Sequence, residues 1–291
     1  MIPASFEYEV ARDVAHAIEL LTTSGGEAKL LAGGQSLIPL MKFRLTQPAR
    51  LIDLNRVPDL AYVRESDGEL RVGALTREAE LEASRLVRER YPILADTAAV
   101  VADPLVRNLA TVGGNLAHAD PANDHPATML ALRASVVARG PKGERVILID
   151  EFFVETFTTS LAPDEILTEI RIPKYAPRSG GAYVKLERKV GDFAIAGVAA
   201  FVALDEKGIV STAGVGLTNV GPTAIRARRA ETALRGRAPD EKTIAQAAAE
   251  AAAEAQPVSD LRGPADYKRD IVRVLAARAL RKAVARAKGG A

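Results

Sequence analysis

Two short segments carry residue types suited to holding an anion. They read AGGQS at Ala32–Ser36 and TVGGN at Thr111–Asn115. Each follows apolar residues, and each sets paired glycines beside small polar side chains. The chemistry is that of phosphate recognition. A pyrophosphate is held best by converging backbone N–H groups. Those groups reach it only where no Cβ intervenes and where the backbone is free to adopt positive φ. Gln35, Ser36, Thr111 and Asn115 add side-chain donors. The apolar run from Leu37 to Leu40 would start a helix whose N-terminus faces the anion. One such loop alone reads as an ordinary glycine turn; two of the same construction favour a ligand.

Other nucleotide signatures are missing. No GxxxxGK[ST] and no GxGxxG occurs. Gly214 and Gly216 come close, but the third glycine is absent, so a Rossmann site is not expected. His118, Asp120, Asp124 and His125 form a polar knot, yet without the spacing of a metal motif. Ligand binding and loop polarity explain it better. Asp124 also reads as the cap of a helix entered at Pro126.

The elements that must position these residues alternate in type. Helical spacing covers 13–22, and an apolar strand at 28–32 ends in the first glycine pair. A short helix (37–43), a strand (51–54) and a hairpin turning at Asp67 and Gly68 follow. Helices are expected at 77–84 and 91–101, an irregular stretch at 103–125, and a helix at 126–133. A hairpin (134–149) and a strand (166–172) complete this part. The Pro- and Gly-rich segment 174–181 marks a boundary. Beyond it lie three strands, near 182–188, 193–204 and 209–218, then helices at 224–235, 240–255 and 265–287. This order argues α+β rather than a doubly wound sheet.

Composition bounds the function. The chain has 291 residues, 48% hydrophobic and 26% charged, as expected of a globular protein of one large or two ordinary domains. Thirty-nine basic against 37 acidic residues leave a net charge of +2, with no clustered basic footprint for nucleic acid. Arg226, Arg228, Arg229, Arg235 and Arg237 surround Glu231 and read as a solvated helix face or a partner surface. The absence of cysteine excludes disulfides, a thiolate nucleophile and any iron–sulfur cluster held by this chain's own Cys ligands. It also fits a reducing compartment. The N-terminus does not read as a signal peptide, and no run approaches the roughly 20 apolar residues of a membrane span. A cytoplasmic location is expected.

AGGQSLIPLMKFRL (32–45) and TVGGNLAHADPANDHPA (111–127) together resemble the flavin subunits of molybdenum hydroxylases. This is the family of carbon monoxide dehydrogenase medium subunits and xanthine dehydrogenase FAD domains. DEILTEIRIP (164–173), YVKLERKVGDFAIAGVA (183–199) and TNVGPTAIRARRAE (218–231) fall in the family's order, so the resemblance covers nearly the whole chain.

The resemblance implies a vanillyl-alcohol-oxidase-type (PCMH-type) FAD-binding domain over 1–177, with α+β lobes at about 1–56 and 57–177. A C-terminal domain over 178–291 would hold a three-stranded antiparallel sheet and helices. It implies that FAD is gripped noncovalently by Leu30, Leu31, Ala32, Gly33, Gly34, Gln35, Ser36 and Leu37, and by Thr111, Val112, Gly113, Gly114 and Asn115. By position, Asp124 matches an acid that contacts the flavin nucleotide, and Leu167 a residue lining the site. Lys185 matches a basic residue near the flavin ring; it also reads as a strand-surface lysine. Phe193 would cover one ring face, or be simple core. Gln35 stands where many relatives have His, and both side chains donate a hydrogen bond.

The implied function is electron transfer, with no catalytic side chain in this chain. Molybdenum cofactor would sit on a large partner subunit and two-iron clusters on a small one. FAD here would take their electrons singly and pass them to an external acceptor. The alternatives are a free-standing FAD-dependent oxidase or dehydrogenase, and a non-enzymatic binding protein on the same fold.

Overall fold

The structure, a computed structural model, describes residues 2–290. The first lobe runs β1 (Glu7–Val10), α1 (Val14–Thr23), β2 (Ala28–Leu31), α2 (Leu37–Lys42) and β3 (Arg50–Asp53). Its strands form a parallel sheet in the order β1-β3-β2. Asp13 caps α1 by accepting from the His16 amide at 2.8 Å, and Ala17, Leu20 and Leu21 bury its apolar stripe. That stripe packs with Ile52 and Leu54, which aims the end of β2 and the glycine loop after it at the second lobe.

The second lobe continues with β4 (Val63–Ser66), β5 (Glu69–Gly73), α3 (Glu78–Ala83), α4 (Arg85–Arg90), α5 (Pro92–Ala99), α6 (Pro104–Arg107), α7 (Val112–His118) and α8 (Asp124–Leu132). Then come β6 (Ser135–Gly140), β7 (Gly143–Leu148), α9 (Ile149–Phe152), β8 (Phe153–Glu155), β9 (Thr158–Thr159) and β10 (Ile166–Pro173). Five strands pair antiparallel in the order β4-β5-β10-β6-β7. Asp67 and Gly68 both take positive φ, as the tight hairpin between β4 and β5 requires.

The last part holds β11 (Ser179–Glu187), β12 (Ala194–Leu204), β13 (Val210–Thr218), β14 (Ile225–Arg226), α10 (Arg228–Leu234), α11 (Glu241–Glu254) and α12 (Ala265–Ala287). Its antiparallel sheet follows sequence order. The three expected strands are extended by the two-residue edge β14, too short to carry a pattern. β12 is buried at every position, so it reads as an unbroken apolar run. Ala276, Ala279, Leu280 and Ala283 of α12 cover one face. Helix α8, itself buried along its whole length, covers the other. The approach is backbone to backbone: Cβ atoms on Gly214 and Gly216 would collide with the carbonyls of Ala131 and Ala127.

The stretch 103–125, expected to be irregular, contains α6 and α7. Asp103 caps α6 through the Leu105 and Val106 amides, and the Thr111 hydroxyl caps α7 through the Gly114 amide at 3.2 Å. Gly113 and Gly114 are poor helix formers, so this first turn rests on its cap and on tertiary contacts. Among the described residues, no helix is long and apolar enough to cross a membrane.

Candidate functional site

The two lobes and the turn between β11 and β12 enclose a cleft of about 870 Å³. Its size suits a dinucleotide-scale ligand. Leu30, Ala32, Gly33, Gly34, Gln35, Ser36 and Leu37 line it from the first lobe. Thr111, Gly113, Gly114, Asn115, Asp124 and Leu167 line it from the second, and Phe193 stands at its rim. Three expected site residues do not reach the cleft wall: Leu31, Val112 and Lys185. The Val112 side chain points into the core, fully buried. Lys185 lies behind Asp124.

The glycines work differently from the simple expectation of clearing a path to a ligand. A Cβ on Gly33 would strike the Leu109 carbonyl, and one on Gly113 would come within 2.6 Å of the Ala74 carbonyl. Both positions let protein backbone meet protein backbone. Gly34 takes φ +73°, which turns the chain out of β2 toward α2.

The two segments also differ in what they offer an anion. The Val112 amide donates to Thr76 O at 3.0 Å, Gly113 to Ala74 O at 2.9 Å and Asn115 to Thr111 O at 2.9 Å. The Gly114 amide is taken by the Thr111 hydroxyl. By contrast, among the described residues the amides of Gly33, Gly34, Gln35 and Ser36 have no protein acceptor. The backbone cradle is therefore the first segment. The second contributes side chains, chiefly the Thr111 hydroxyl hydrogen and Asn115, whose Oδ1 is buried without a partner. An orphaned buried amide oxygen beside four unused N–H groups fits a phosphate- and hydroxyl-bearing cofactor.

Two residues that carry no signature in the sequence join these segments. Asn55 Nδ2 donates to Ala32 O at 2.9 Å, and Arg77 donates to Asn55 Oδ1 at 2.6 Å. Arg77 also donates to Leu109 O, the carbonyl that Gly33 accommodates.

At the other end, Asp124 meets the C-terminal sheet. Tyr183 Oη donates to its Oδ1 at 2.6 Å, and Lys185 Nζ to its Oδ2 at 3.1 Å. Burial pushes the Asp124 carboxyl up from its ordinary value, opposed by Lys185 and Tyr183. Burial, with the neighbouring Asp124, also holds the Tyr183 phenol well above its ordinary value, so it stays a donor. Phe193 is 49% exposed, with the Arg262 guanidinium 5.8 Å from its ring centroid.

The polar knot divides in space: His118 keeps Asp120 within 4.0 Å, while Asp124 and His125 turn to other partners. His118 lines the cleft 5.2 Å from the ring of Phe157, and its burial pushes its imidazole down. His125 is fully buried against Glu78 at 2.7 Å. Among the described residues no group of three His, Cys, Asp or Glu side chains is placed to hold a metal. Val101, Ala102, Phe157 and Glu165 line the cleft without having been singled out. Only their distance from the glycine motifs hid them.

A family model described as the FAD binding domain in molybdopterin dehydrogenase matches residues 4–175. One described as the CO dehydrogenase flavoprotein C-terminal domain matches residues 181–283. The chain is 45% identical to the carbon monoxide dehydrogenase medium chain of Hydrogenophaga pseudoflava, over 98% of this chain and 99% of that one. It is 43% identical to the 6-hydroxypseudooxynicotine dehydrogenase complex subunit alpha of Paenarthrobacter nicotinovorans, over 99% and 97%. The solved carbon monoxide dehydrogenase of Hydrogenophaga pseudoflava superposes with a TM-score of 0.95 at 47% identity, covering 98% of this chain and 99% of that one. Quinoline 2-oxidoreductase from Pseudomonas putida 86 gives 0.91 at 32% identity, covering 99% of each.

Proposed function

This chain belongs to the FAD-binding subunits of the molybdenum hydroxylases, and we propose that it carries electrons from the iron–sulfur clusters of a small partner subunit to an external acceptor. A large partner subunit would hold the molybdenum cofactor and the substrate. Bound FAD supplies the conversion of single electrons into pairs. The observation that carries the reading is the row of unused amides at Gly33–Ser36 facing a cleft of about 870 Å³ in a chain without cysteine. Such a chain has a cofactor cradle and no thiolate ligands for a cluster, so the clusters belong elsewhere.

The residues divide the work. Gly33, Gly34, Gln35 and Ser36 present backbone donors to the pyrophosphate. Thr111 and Asn115 add side-chain bonds from the facing lobe. Asp124 accepts from a ligand hydroxyl or N–H, Leu30, Leu37 and Leu167 supply apolar wall, and Phe193 screens the rim from water. The cofactor-binding part would span 1–177 and the C-terminal domain 178–291, a division supported by the gap between the two family matches.

The test uses the chain with and without its partners. Incubated with FAD and desalted, the chain or its assembled complex should retain a two-band flavin spectrum that is released on denaturation. Substrate should bleach that flavin only in the complex. Substrate-driven bleaching by the chain alone would replace this reading with a free-standing dehydrogenase. A colourless complex would replace it with a binding protein on the same fold.

A further inference from the structure

We propose that Tyr183 is a positioning residue of the cofactor site, acting through Asp124. The inference rests on the reading of the cleft as an FAD site. Asp124 is the one carboxylate in the polar knot that both lines the cleft and meets the C-terminal sheet, and each of its oxygens is claimed from behind. A carboxylate rotates through a broad, two-fold torsion, so its orientation must be imposed. Two charge-assisted hydrogen bonds impose it here.

Lys185 cannot serve the ligand directly. An ammonium has three donors. All three are used: on Val100 O at 2.6 Å, on Asp124 Oδ2 at 3.1 Å and on Asp192 O at 3.1 Å. Lys185 thereby ties Asp124 to the segments before Val101 and Phe193, both at the cleft wall. The other and shorter of the two bonds that set the Asp124 plane is the one from Tyr183, to Oδ1.

The sheet is built around that hydroxyl. Tyr183 on β11 is 4% exposed. Its oxygen lies 3.1 Å from Thr218 Oγ1 on β13. On β12 between them, a Cβ at Gly197 would collide with the same oxygen. The glycine therefore makes room for the phenol, whose oxygen would lie 2.3 Å from that Cβ, nearer than any ring carbon. Three strands cooperate to deliver one O–H to Asp124 Oδ1, and each carboxylate oxygen, with one protein donor apiece, keeps a lone pair unclaimed by protein.

Y183F deletes the hydroxyl and keeps the ring. G197A keeps the tyrosine and displaces its hydroxyl. In the full chain, assembled with its partners where needed to hold cofactor, each variant should raise the FAD dissociation constant about tenfold. The visible circular dichroism of the remaining bound flavin should change in both. In a D124A background, Y183F should add no further loss, because its effect runs through that carboxylate. A Y183F protein with unchanged affinity and unchanged dichroism refutes the proposal. So does a full additional loss in the D124A background, which would assign Tyr183 to packing alone. A wild-type complex that takes up no FAD refutes the functional reading, and this inference falls with it.

Discussion

Arg77 donates to Asn55 Oδ1 at 2.6 Å, a side-chain link between the loop of the first glycine segment and the turn that leads into the second. Asn55 grips the carbonyl of Ala32 on one side, and Arg77 grips that of Leu109 on the other. The staple is partly solvated, so its contribution to stability is small, about 1 kcal/mol. Its effect on the spacing of the cradle is larger. N55A and R77M should each lower FAD affinity more than they lower the urea midpoint. Equal affinity in either variant, measured by fluorescence titration, would count against the staple.

The glycines can be ranked. A Cβ on Gly33 meets fixed backbone at Leu109 and Ala110, whereas one on Gly114 clashes only with the Thr111 hydroxyl and merely touches the Ala32 Cβ at 3.9 Å. G33A must therefore push the lobes apart, while G114A need only disturb a cap. G33A should lower the melting temperature and abolish FAD retention. G114A should cost about 1 kcal/mol, the worth of a helix cap. Melting curves and desalted spectra of the two variants give the order.

Sequence and structure agree most closely where a long pattern exists. The span 265–287 was readable to the residue because alanine, leucine and arginine recur at helical spacing with a proline just before it. Helix α7 was hidden because its glycines have low propensity and its support comes from Ala74 and Thr76, remote in sequence. The glycine motifs located the cleft, yet pattern alone did not tell which amides were free. That depends on the bridge of 74–77 against 111–113, a tertiary pairing. Asn55 and Arg77 were invisible for the same reason: their partners lie in other lobes and turns.

Glu78 and His125 form a buried pair at 2.7 Å, with no exposure on either side. Burial alone would push the His125 imidazole down, but the Glu78 carboxylate outweighs it and the net shift is upward. A raised folded pKa means that the stability from this proton is complete below the unfolded value near 6.5 and is lost as pH rises through the folded one. E78Q should cost roughly 3–5 kcal/mol near pH 6, because it leaves a buried cation or strips its proton. It should also flatten the alkaline decline. Denaturant titrations of both proteins across pH 6 to about 9 provide the check.

Arg145 binds Glu165 through both carboxylate oxygens at 2.7 Å, on the cleft wall. The Arg145 hydrogen bond holds Glu165 below its ordinary value of 4.5, against some burial. A lowered folded pKa contributes stability above the ordinary value and loses it as pH falls through the folded one. Acid unfolding below pH 4.5 should therefore be less steep in E165Q than in wild type. Superimposable acid curves would show that the pair adds nothing.

Gly214 and Gly216, which resemble the start of a dinucleotide fingerprint, instead receive the carbonyls of Ala131 and Ala127 from helix α8. That contact has no side-chain padding, so neither half of the molecule can change its surface there alone. The halves are consequently not interchangeable parts. A chimera that joins the first half of one relative to the second half of another would need the glycine pair and its helix to come from the same parent, whatever the identity elsewhere.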